Sequence, residues 1–341
     1  MISISVLGAG LIGQNHSRLL RQLGWLHSIV DPAPQASALA QGLCVPHYPD
    51  LDTLLTHGGA DGVVNATPNA LHISTSMRLI EAGIPVLVEK PIGDFAADAA
   101  RLVDVAAQRG VPLLVGHHRR YNPLIQRAKS LISEGRLGIM QSVHAHCWYF
   151  KPDDYFDVAW RRELGGGPIL INLIHDIDLL RYLCGDIVEV YAVTANQARA
   201  HPVESSCVVT LVFANGTVGT LNLSDSVPAP WSWELSAREN PAYPACDGFC
   251  YLIGGRDGSL SLPDLKLWHY GEQIPSWWNP ISRQQFPFEF SDPLQLQLEH
   301  FAEVIAGRAQ PLVSGAEGLA TLKVIEAIKR SAAERRVVRL D

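Results

Sequence analysis

The sequence predicts an α/β domain built on a doubly wound parallel sheet, followed by an α+β domain with a largely antiparallel sheet and helices on one side. Three observations indicate this fold class: a glycine-rich turn after a short apolar run, buried strands that alternate with helices to about residue 120, and strands of alternating polarity beyond it. At 341 residues the chain is long for one core. Two domains are therefore expected, over residues 1–120 and 121–341.

The glycine-rich turn carries Gly8, Gly10 and Gly13 in G-x-G-x-x-G spacing. The first glycine permits a tight turn, the second lets the backbone approach a pyrophosphate, and the third lets the following helix pack closely on the strand. The start of that helix, at Leu11 and Ile12, supplies N–H groups and a partial positive charge for phosphates. The pattern is typical of a dinucleotide-binding turn.

Asp31 indicates which dinucleotide is bound. It ends the second apolar run, Trp25–Val30, and lies 23 residues after Gly8. A carboxylate at that place accepts hydrogen bonds from the two ribose hydroxyls and repels a 2′-phosphate, and the next three residues offer no cation. NAD is therefore favoured over NADP. The alternative is that Asp31 only caps a helix over Pro34–Gln41.

Strands and helices alternate through the first domain. The predicted strands are Ile4–Leu7, Trp25–Val30, Gly62–Val64, Pro85–Val88 and Val111–Val115. The predicted helices are Leu11–Leu23, Ala33–Gln41, Leu51–Leu55, Ala70–Ala82 and Asp94–Arg109. Five parallel strands of this kind complete a doubly wound sheet.

Polar residues follow two of these strands. Thr67, Asn69 and His72 come after the third strand, and because loops after parallel strands face the cofactor crevice, they are expected to line the dinucleotide. Asn69 is also expected to cap the helix that follows, and a plain turn with a cap is the alternative. Glu89 and Lys90 follow the fourth strand, where a proline fixes the chain; a surface ion pair is the alternative.

The second domain is expected to begin with a helix over Pro123–Glu134 and a strand over Gln141–Phe150. Short strands with Asn-Gly and Asp-Gly turns then suggest an antiparallel sheet. Its predicted strands are Val188–Asn196, Ser205–Phe213, Gly216–Leu223, Cys250–Gly254 and Leu260–Trp268. Two closing helices are predicted over Leu294–Ile305 and Leu319–Ala333, and the last, about residues 317–333, is expected to pack back on the first domain.

One long helix, predicted over Pro168–Cys184, combines apolar residues with a few polar ones. Asn172, His175 and Asp176 follow i, i+3, i+4 spacing and are expected on one face. Buried polar groups are costly unless they are paired, so this face is expected to bind something. The alternative is a core histidine satisfied by a backbone carbonyl.

Composition narrows the possible partners. The net charge of −7, the pI near 6.0 and the lack of a basic tract argue against nucleic acid or an anionic membrane surface. No apolar run reaches the roughly 18 residues of a membrane span, and no leader-like segment precedes the first strand. Six cysteines without C-x-x-C spacing suggest reduced thiols, and a cytoplasmic protein is expected. No metal is expected.

Together, these features make the sequence similar to the Gfo/Idh/MocA family, named for glucose-fructose oxidoreductase and inositol dehydrogenase. The resemblance covers nearly the whole chain. Besides the glycine-rich turn, its marks are Ala66–Asn69, Glu89–Pro91, His118–Pro123, Trp160–Arg161, the triple glycine before His175, and Pro311–Gly315.

The resemblance implies a Rossmann domain joined to an open-faced sheet domain, assembled as a homodimer or homotetramer through that sheet. It also implies an oxidoreductase in which Lys90 is the acid/base group and His175 its partner. Alcohol oxidation needs a group that takes the hydroxyl proton while hydride leaves the adjacent carbon. The expected substrate is a sugar, a cyclitol or a related polyol, oxidised at a ring hydroxyl.

Further site residues are expected on the same basis. The remaining cofactor contacts are expected from Glu89, Lys90, Arg119, Trp160 and Arg161. The expected substrate contacts are Lys90, His118, Tyr121, Asn122, Tyr149, Trp160, Asn172, His175 and Asp176. Aromatic faces such as those of Tyr149 and Trp160 suit sugar rings, because C–H groups stack on them while hydroxyls bond outward.

Two positions depart from the family pattern. Many members carry an acid four residues before the histidine, where this chain has Ile171, with Asn172 one position later. His118 stands where the family often has asparagine. The first departure makes inositol or a simple hexose less favoured as the substrate. The alternatives to the proposed activity are a dehydrogenase of cyclic dihydrodiols and a dinucleotide-sensing regulator without turnover.

Overall fold

A computed structural model of the protein describes residues 2–163, 165–199 and 201–340. The chain forms two compact units. The first contains the residues up to Tyr121 together with Asp292–Leu322, and the second contains Asn122–Ser291 and the residues from Lys323 onward. The segment Asp292–Leu322, which the sequence analysis assigned to the second half, thus lies in the first unit.

The first unit is built on a parallel sheet, as predicted. Its strands are β1 (Ile4–Leu7), β2 (Leu26–Val30), β3 (His47–Tyr48), β4 (Gly62–Asn65), β5 (Val86–Val88) and β6 (Leu113–Val115). They lie in the order β3-β2-β1-β4-β5-β6. Strand β3, which pairs with the end of β2, was not predicted because two residues are too short to show a periodic pattern. The strand order reverses direction between β1 and β4, which is where doubly wound sheets bind ligands.

Helices follow these strands along the chain. They are α1 (Leu11–Gln22), α2 (Pro34–Gly42), α3 (Leu51–His57), α4 (Asn69–Glu81) and α5 (Ala96–Arg109). Helix α5 ends at Gly110, whose φ of +64° is a left-handed conformation suited to glycine. The predicted cap of α4 was wrong: the helix begins at Asn69, and the N-cap position belongs to Pro68.

The second unit is built on a mixed sheet. Its helices are α6 (Pro123–Ser133), α7 (Ile174–Cys184) and the short α8 (Trp233–Ser236). The strands up to Ser291 are β7 (Met140–Trp148), β8 (Ile187–Ala195), β9 (Ser206–Phe213), β10 (Val218–Ser224), β11 (Tyr251–Gly255), β12 (Ser259–Leu262), β13 (Lys266–His269) and β14 (Ser282–Gln285).

The chain closes with α9 (Pro293–Ile305), α10 (Gly315–Glu334) and β15 (Val338–Arg339). The second sheet has the order β14-β13-β12-β11-β7-β10-β9-β8-β15. Within the described strands of this second sheet, only the β7–β10 pair is parallel, which confirms the largely antiparallel sheet.

Each unit has its own core. In the first, Leu298 and Phe301 of α9 are buried with strand residues such as Ile4 and Val64. In the second, alternate side chains of β9 and β10 are buried, while Val193, Val208 and Val218 are about half exposed. None of the helices in the described ranges has the length and apolar character that a membrane crossing requires.

Candidate functional site

The glycine-rich turn joins β1 to α1. At two of its three glycines there is no room for a side chain. Gly8 has a φ of +98°, and a Cβ there would lie 2.4 Å from the carbonyl oxygen of Ala66. A Cβ at Gly13 would lie 1.9 Å from the carbonyl oxygen of Gly8. At Gly10, by contrast, a Cβ would meet no described atom within 4 Å. The turn is therefore tightly packed on its inner side and open at Gly10, as a phosphate cradle requires.

The start of α1 adds electrostatic character to this cradle. Its N-cap is Gly10, and within the described chain no side chain caps it and no acidic residue lies in its first turn. The amides of Leu11 and Ile12 therefore have no acceptor within the helix, and the positive end of the helix dipole is not neutralised. Leu11 is 82% exposed, which leaves this end accessible.

Asp31 lies directly after β2 and is half-buried. Its Oδ2 accepts a hydrogen bond from the Ala9 N–H, and its Oδ1 accepts one from the Ala33 N–H, both at 2.7 Å. Helix α2 has Ala33 at its N-cap and no side-chain cap, so capping does not account for the carboxylate. Each oxygen keeps a second lone pair, which a ribose hydroxyl can use.

The loop after β4 is held by Asn65 and His72. Thr67 donates its hydroxyl to Asn65 Oδ1 at 2.8 Å. The His72 ring, which is 1% exposed, lies 2.8 Å from the Thr67 carbonyl oxygen through Nε2 and 2.7 Å from the Pro91 carbonyl oxygen through Nδ1. His72 therefore fixes two loops to each other, whereas the sequence analysis placed it against the dinucleotide. Asn69 is exposed at the start of α4.

Glu89 and Lys90 lie directly after β5. The Glu89 carboxylate is buried, and its Oε1 lies 2.7 Å from His16 Nε2. A carboxylate only accepts hydrogen bonds, so the imidazole donates. Glu89 Oε2 accepts from the Lys90 N–H at 3.2 Å, and Lys90 itself is half-buried. The backbone of Lys90 is thus bonded to the side chain of its neighbour, which is bonded in turn to helix α1.

Burial and charge act in opposite directions on Glu89. Burial raises the pKa of its carboxyl. The hydrogen bond and charge of His16, together with the charges of His118 and Lys90, outweigh burial and lower the pKa to about 2. The Glu89 carboxylate therefore stays ionised. His16 was missed, although a polar residue on the buried stripe of α1 was a visible signal.

A 3₁₀ turn at His118–Tyr121 follows β6. His118 is half-buried, and Arg119 is buried with 5% of its surface exposed. The Arg120 Nη2 donates to Glu317 Oε2 at 2.9 Å. The Tyr121 ring lies 5.4 Å from the ring of His300, centroid to centroid. This turn is therefore tied to α9 and α10 within the first unit.

In the second unit, the helix that carries His175 differs from its prediction. Ile169–Leu173 form a π-helical turn, and α7 begins only at Ile174. The apolar pattern does not distinguish the two helix types, so the prediction of one continuous α-helix was wrong there. The i, i+3 relation of a regular α-helix therefore does not hold between Asn172 and His175.

The three polar residues of this helix have different surroundings. Asn172 is half-buried, and its Oδ1 accepts from Lys151 Nζ at 2.9 Å. His175 is 8% exposed. Asp176 is 1% exposed and accepts a hydrogen bond from the Tyr251 hydroxyl, whose ring stacks on Trp233. The carboxylate of Asp176 thus contacts the sheet through β11.

Three other predicted residues lie in ordered turns of this unit. Trp160 is 52% exposed. The Arg161 guanidinium lies 4.1 Å from the centroid of the Tyr155 ring and donates to the Tyr155 carbonyl oxygen at 2.8 Å. Asn122 caps α6 through Oδ1, and its Nδ2 donates to Glu239 Oε2 at 2.8 Å. The oxygen and the nitrogen of the Asn122 amide are therefore both bonded to protein. The sequence analysis predicted a substrate contact for this residue.

The sequence analysis missed a buried lysine beside these residues. Lys151 is 6% exposed, and its Nζ lies 3.3 Å from Asp225 Oδ2 and 4.8 Å from the centroid of the Tyr155 ring. Asp225 is also bonded to Arg199 Nη1 at 2.6 Å. Only the run of aromatic residues before Lys151 could have indicated that its side chain is buried.

Two family models match the chain. One, described as "Oxidoreductase family, NAD-binding Rossmann fold", matches residues 2–117. The other, described as "GFO/IDH/MocA C-terminal domain", matches residues 125–260. Together the two matches take in most of both units.

Similar proteins include two from Rhizobium meliloti. The rhizopine catabolism protein MocA is 30% identical over 184 residues, which are 53% of this chain and 57% of that protein. Inositol 2-dehydrogenase is 24% identical over 346 residues, which are 99% of this chain and 98% of that protein. A solved structure of the WlbA dehydrogenase from Bordetella pertussis, in complex with NADH and UDP-GlcNAcA, is 27% identical, covers 100% of this chain and 99% of its own, and has a TM-score of 0.80.

The buried His16–Glu89 pair leads to a prediction of how the free energy of unfolding depends on pH. Glu89→Gln is expected to lower the free energy of unfolding by roughly 3 kcal/mol at pH 7, because the ionised carboxylate is stabilised only in the folded protein. Since folding lowers the pKa from 4.5 to about 2, this contribution is complete above pH 4.5 and is lost as the pH falls towards 2. Urea unfolding of both proteins at pH 7, 5 and 3 measures it.

Glu81→Gln, a change at an exposed glutamate of α4, is the matched control and is expected to leave the difference near zero. An equal loss for Glu89→Gln at pH 7 and pH 3 would contradict the assignment.

Proposed function

Because the chain belongs to the GFO/IDH/MocA family of oxidoreductases, we propose that it is an NAD-dependent dehydrogenase that oxidises a ring hydroxyl of a sugar, cyclitol or related polyol. One observation carries the proposal: the unit with the phosphate cradle also presents Lys90 at a strand end, next to the buried His16–Glu89 pair. A lysine so placed is suited to proton transfer.

The residues present fit a nicotinamide dinucleotide. The space at Gly10 and the uncapped start of α1 suit a pyrophosphate, and the carboxylate of Asp31 suits a ribose with free hydroxyls. Thr67, on the adjacent loop, is a further contact in this proposal. When bound, the dinucleotide supplies the acceptor for the hydride.

In the proposed mechanism, Lys90 takes the proton of the substrate hydroxyl while hydride leaves the carbon that carries this hydroxyl. His175 is its partner and holds that hydroxyl in place by a hydrogen bond. Glu89 positions Lys90 and remains ionised, so it does not compete for the proton. In the reverse direction, Lys90 returns the proton to the carbonyl oxygen.

Other residues complete the proposed sites. On the cofactor side we assign the first-turn amides of Leu11 and Ile12, with Arg119, Trp160 and Arg161. On the substrate side we assign His118, Tyr121, Tyr149 and Asn172. The relatives support a sugar or polyol substrate, because an inositol 2-dehydrogenase aligns over nearly the whole chain and WlbA was solved with UDP-GlcNAcA.

Lys90→Met is expected to lower kcat by roughly 100- to 10,000-fold, because it removes the group that takes the proton, while NAD still binds. NADH absorbance is followed over sugars, sugar acids, inositols, anhydrosugars and cyclic dihydrodiols, and NAD binding is measured by calorimetry. Lys323→Met, at an exposed site on α10, is the control. Full turnover by Lys90→Met would remove Lys90 from the chemistry.

Tight NAD binding by the wild type without turnover on any substrate would favour a sensor, and turnover of dihydrodiols alone would favour the dihydrodiol enzyme.

Asp31→Asn is expected to lower the NAD-to-NADP ratio of kcat/KM by roughly 10- to 100-fold. The substitution removes the charge that repels a 2′-phosphate and weakens the bonds to the ribose hydroxyls. Steady-state kinetics with both cofactors measure the ratio, and Asp104→Asn on the exposed side of α5 is the control. A wild-type preference for NADP would contradict the assignment.

The exposed side chains of the second sheet support assembly into a homodimer or homotetramer. Val208→Glu, in β9, is expected to shift the protein to monomers, because it buries a charge in the interface. Sedimentation velocity compares it with Val337→Glu, which is equally exposed but lies outside the strands. A monomeric wild type at micromolar concentration would refute this assembly. Cys184 and Cys207 are buried thiols outside any disulfide, which fits a reducing compartment, and we propose the cytoplasm.

A further inference from the structure

Three hydrogen-bond donors of the second unit are grouped beside the helix of His175: the Tyr149 hydroxyl, the Lys151 ammonium and the Asn172 amide. We propose that these three residues, the Lys151 cluster, bind a carboxylate of the substrate, so that the enzyme acts on an acidic sugar or polyol. The inference rests on the proposed function and names its substrate class.

The backbone after β7 directs the side chains of Tyr149 and Lys151 to the same side of the chain. After β7 the chain remains extended, and it pairs with the segment that follows β10. The Tyr149 N–H donates to the Ser224 carbonyl oxygen at 3.1 Å, and the Lys151 N–H donates to the Asp225 carbonyl oxygen at 2.9 Å. Side chains two positions apart on an extended chain point to the same side. The Lys151 Nζ accordingly lies 5.8 Å from the centroid of the Tyr149 ring.

The bond between Lys151 and Asn172 fixes the direction of the amide. An ammonium group has three donors and no acceptor, so the Asn172 atom that faces it at 2.9 Å is the carbonyl Oδ1. The Nδ2 group is therefore directed away from Lys151 as a donor. Asn172 lies in the π-helical turn, three residues before His175, and is half-buried. A substrate atom that meets this amide must accept a hydrogen bond.

The charge of Lys151 is only partly balanced. Asp225 accepts from Arg199 through its Oδ1 at 2.6 Å and through its backbone oxygen at 2.7 Å, whereas Lys151 lies at the longer distance of 3.3 Å from its Oδ2. Burial lowers the pKa of Lys151, against the charges of Asp225, Cys147 and Glu234, which raise it. An additional anion would stabilise the ammonium.

The hydroxyl of Tyr149 is an independent sign of a ligand. Tyr149 is 9% exposed, and its hydroxyl oxygen is buried without a hydrogen-bond partner among the residues that the structure describes. Burial raises its pKa well above the ordinary value, so the group remains a donor. A buried hydroxyl without an acceptor costs about 1–3 kcal/mol. A ligand oxygen at this place would remove that cost.

A carboxylate satisfies these donors better than a hydroxyl does. It carries only acceptors and a single charge, which matches one ammonium and two neutral donors. A phosphate dianion would place two negative charges near the buried Asp225, and a neutral hydroxyl would leave the charge of Lys151 without a new partner. The geometry therefore favours a carboxylate over both.

Matched substrates test the proposal: D-glucose, D-glucuronate and D-glucose 6-phosphate, and the corresponding galactose series. NADH formation is measured with wild type, Lys151→Met, Tyr149→Phe and the exposed control Lys323→Met. The acids are expected to have the highest kcat/KM in each series. Lys151→Met is expected to raise KM for the acid by roughly 10- to 100-fold, the loss of a charge-assisted bond, with a smaller effect on kcat.

Tyr149→Phe keeps the ring and is expected to raise KM for the acid by about 5- to 10-fold, which gives a second test if Lys151→Met folds poorly. For the neutral sugars both variants are expected to raise KM by a smaller factor than for the acid. A preference for the neutral or phosphorylated members would overturn the proposal, and so would an equal rise in KM for acid and neutral sugars.

Calorimetry of D-glucuronate binding to the enzyme with saturating NADH separates this proposal from the dehydrogenase activity. Binding that depends on Lys151, without turnover of any sugar, would support the cluster and overturn the dehydrogenase. Turnover of neutral sugars, with no effect of Lys151→Met on acid binding, would support the dehydrogenase and overturn the cluster.

Discussion

The hydrogen bond between His16 and Glu89 connects the two parts of the first unit on which the proposed chemistry depends. His16 lies on the first helix, one turn after the glycines, and Glu89 lies at the end of β5, next to Lys90. This buried contact therefore links the helix after the glycine-rich turn to the strand end that carries the lysine. Gly116 completes this arrangement, because a Cβ there would lie 3.0 Å from the Glu89 carboxylate.

A buried hydrogen bond between a carboxylate and an imidazole contributes mainly to position. Removing a carboxylate from water is unfavourable, and apolar side chains of similar volume often stabilise a fold equally well. What apolar side chains do not provide is an acceptor for the Lys90 backbone N–H. The second unit has a comparable arrangement, in which Asp225 is bonded to Arg199 and Lys151. In both units a buried carboxylate holds a lysine near the residues that the sequence marked as a site.

Local sequence patterns predicted the parts of this structure that depend on local geometry. Gly8 and Gly13 are required because backbone atoms approach them closely, and the alternation of apolar runs with helices predicted the parallel sheet. The pattern did not show the π-helical turn before α7, because both helix types bury apolar residues at similar spacing. Partners distant in sequence were also not predictable. The local pattern could indicate that His16 and Lys151 are buried. It could not indicate their partners Glu89 and Asn172, since each pair meets only after folding.

The return of Asp292–Leu322 to the first unit has a consequence for synthesis on the ribosome. Leu298 and Phe301 are fully buried in the same core as Ile4 and Val64, which are translated at the beginning of the chain. The sheet of the first unit consequently emerges from the exit tunnel long before the helix that covers part of it. The nascent chain must keep this apolar surface from aggregating until α9 has also been made.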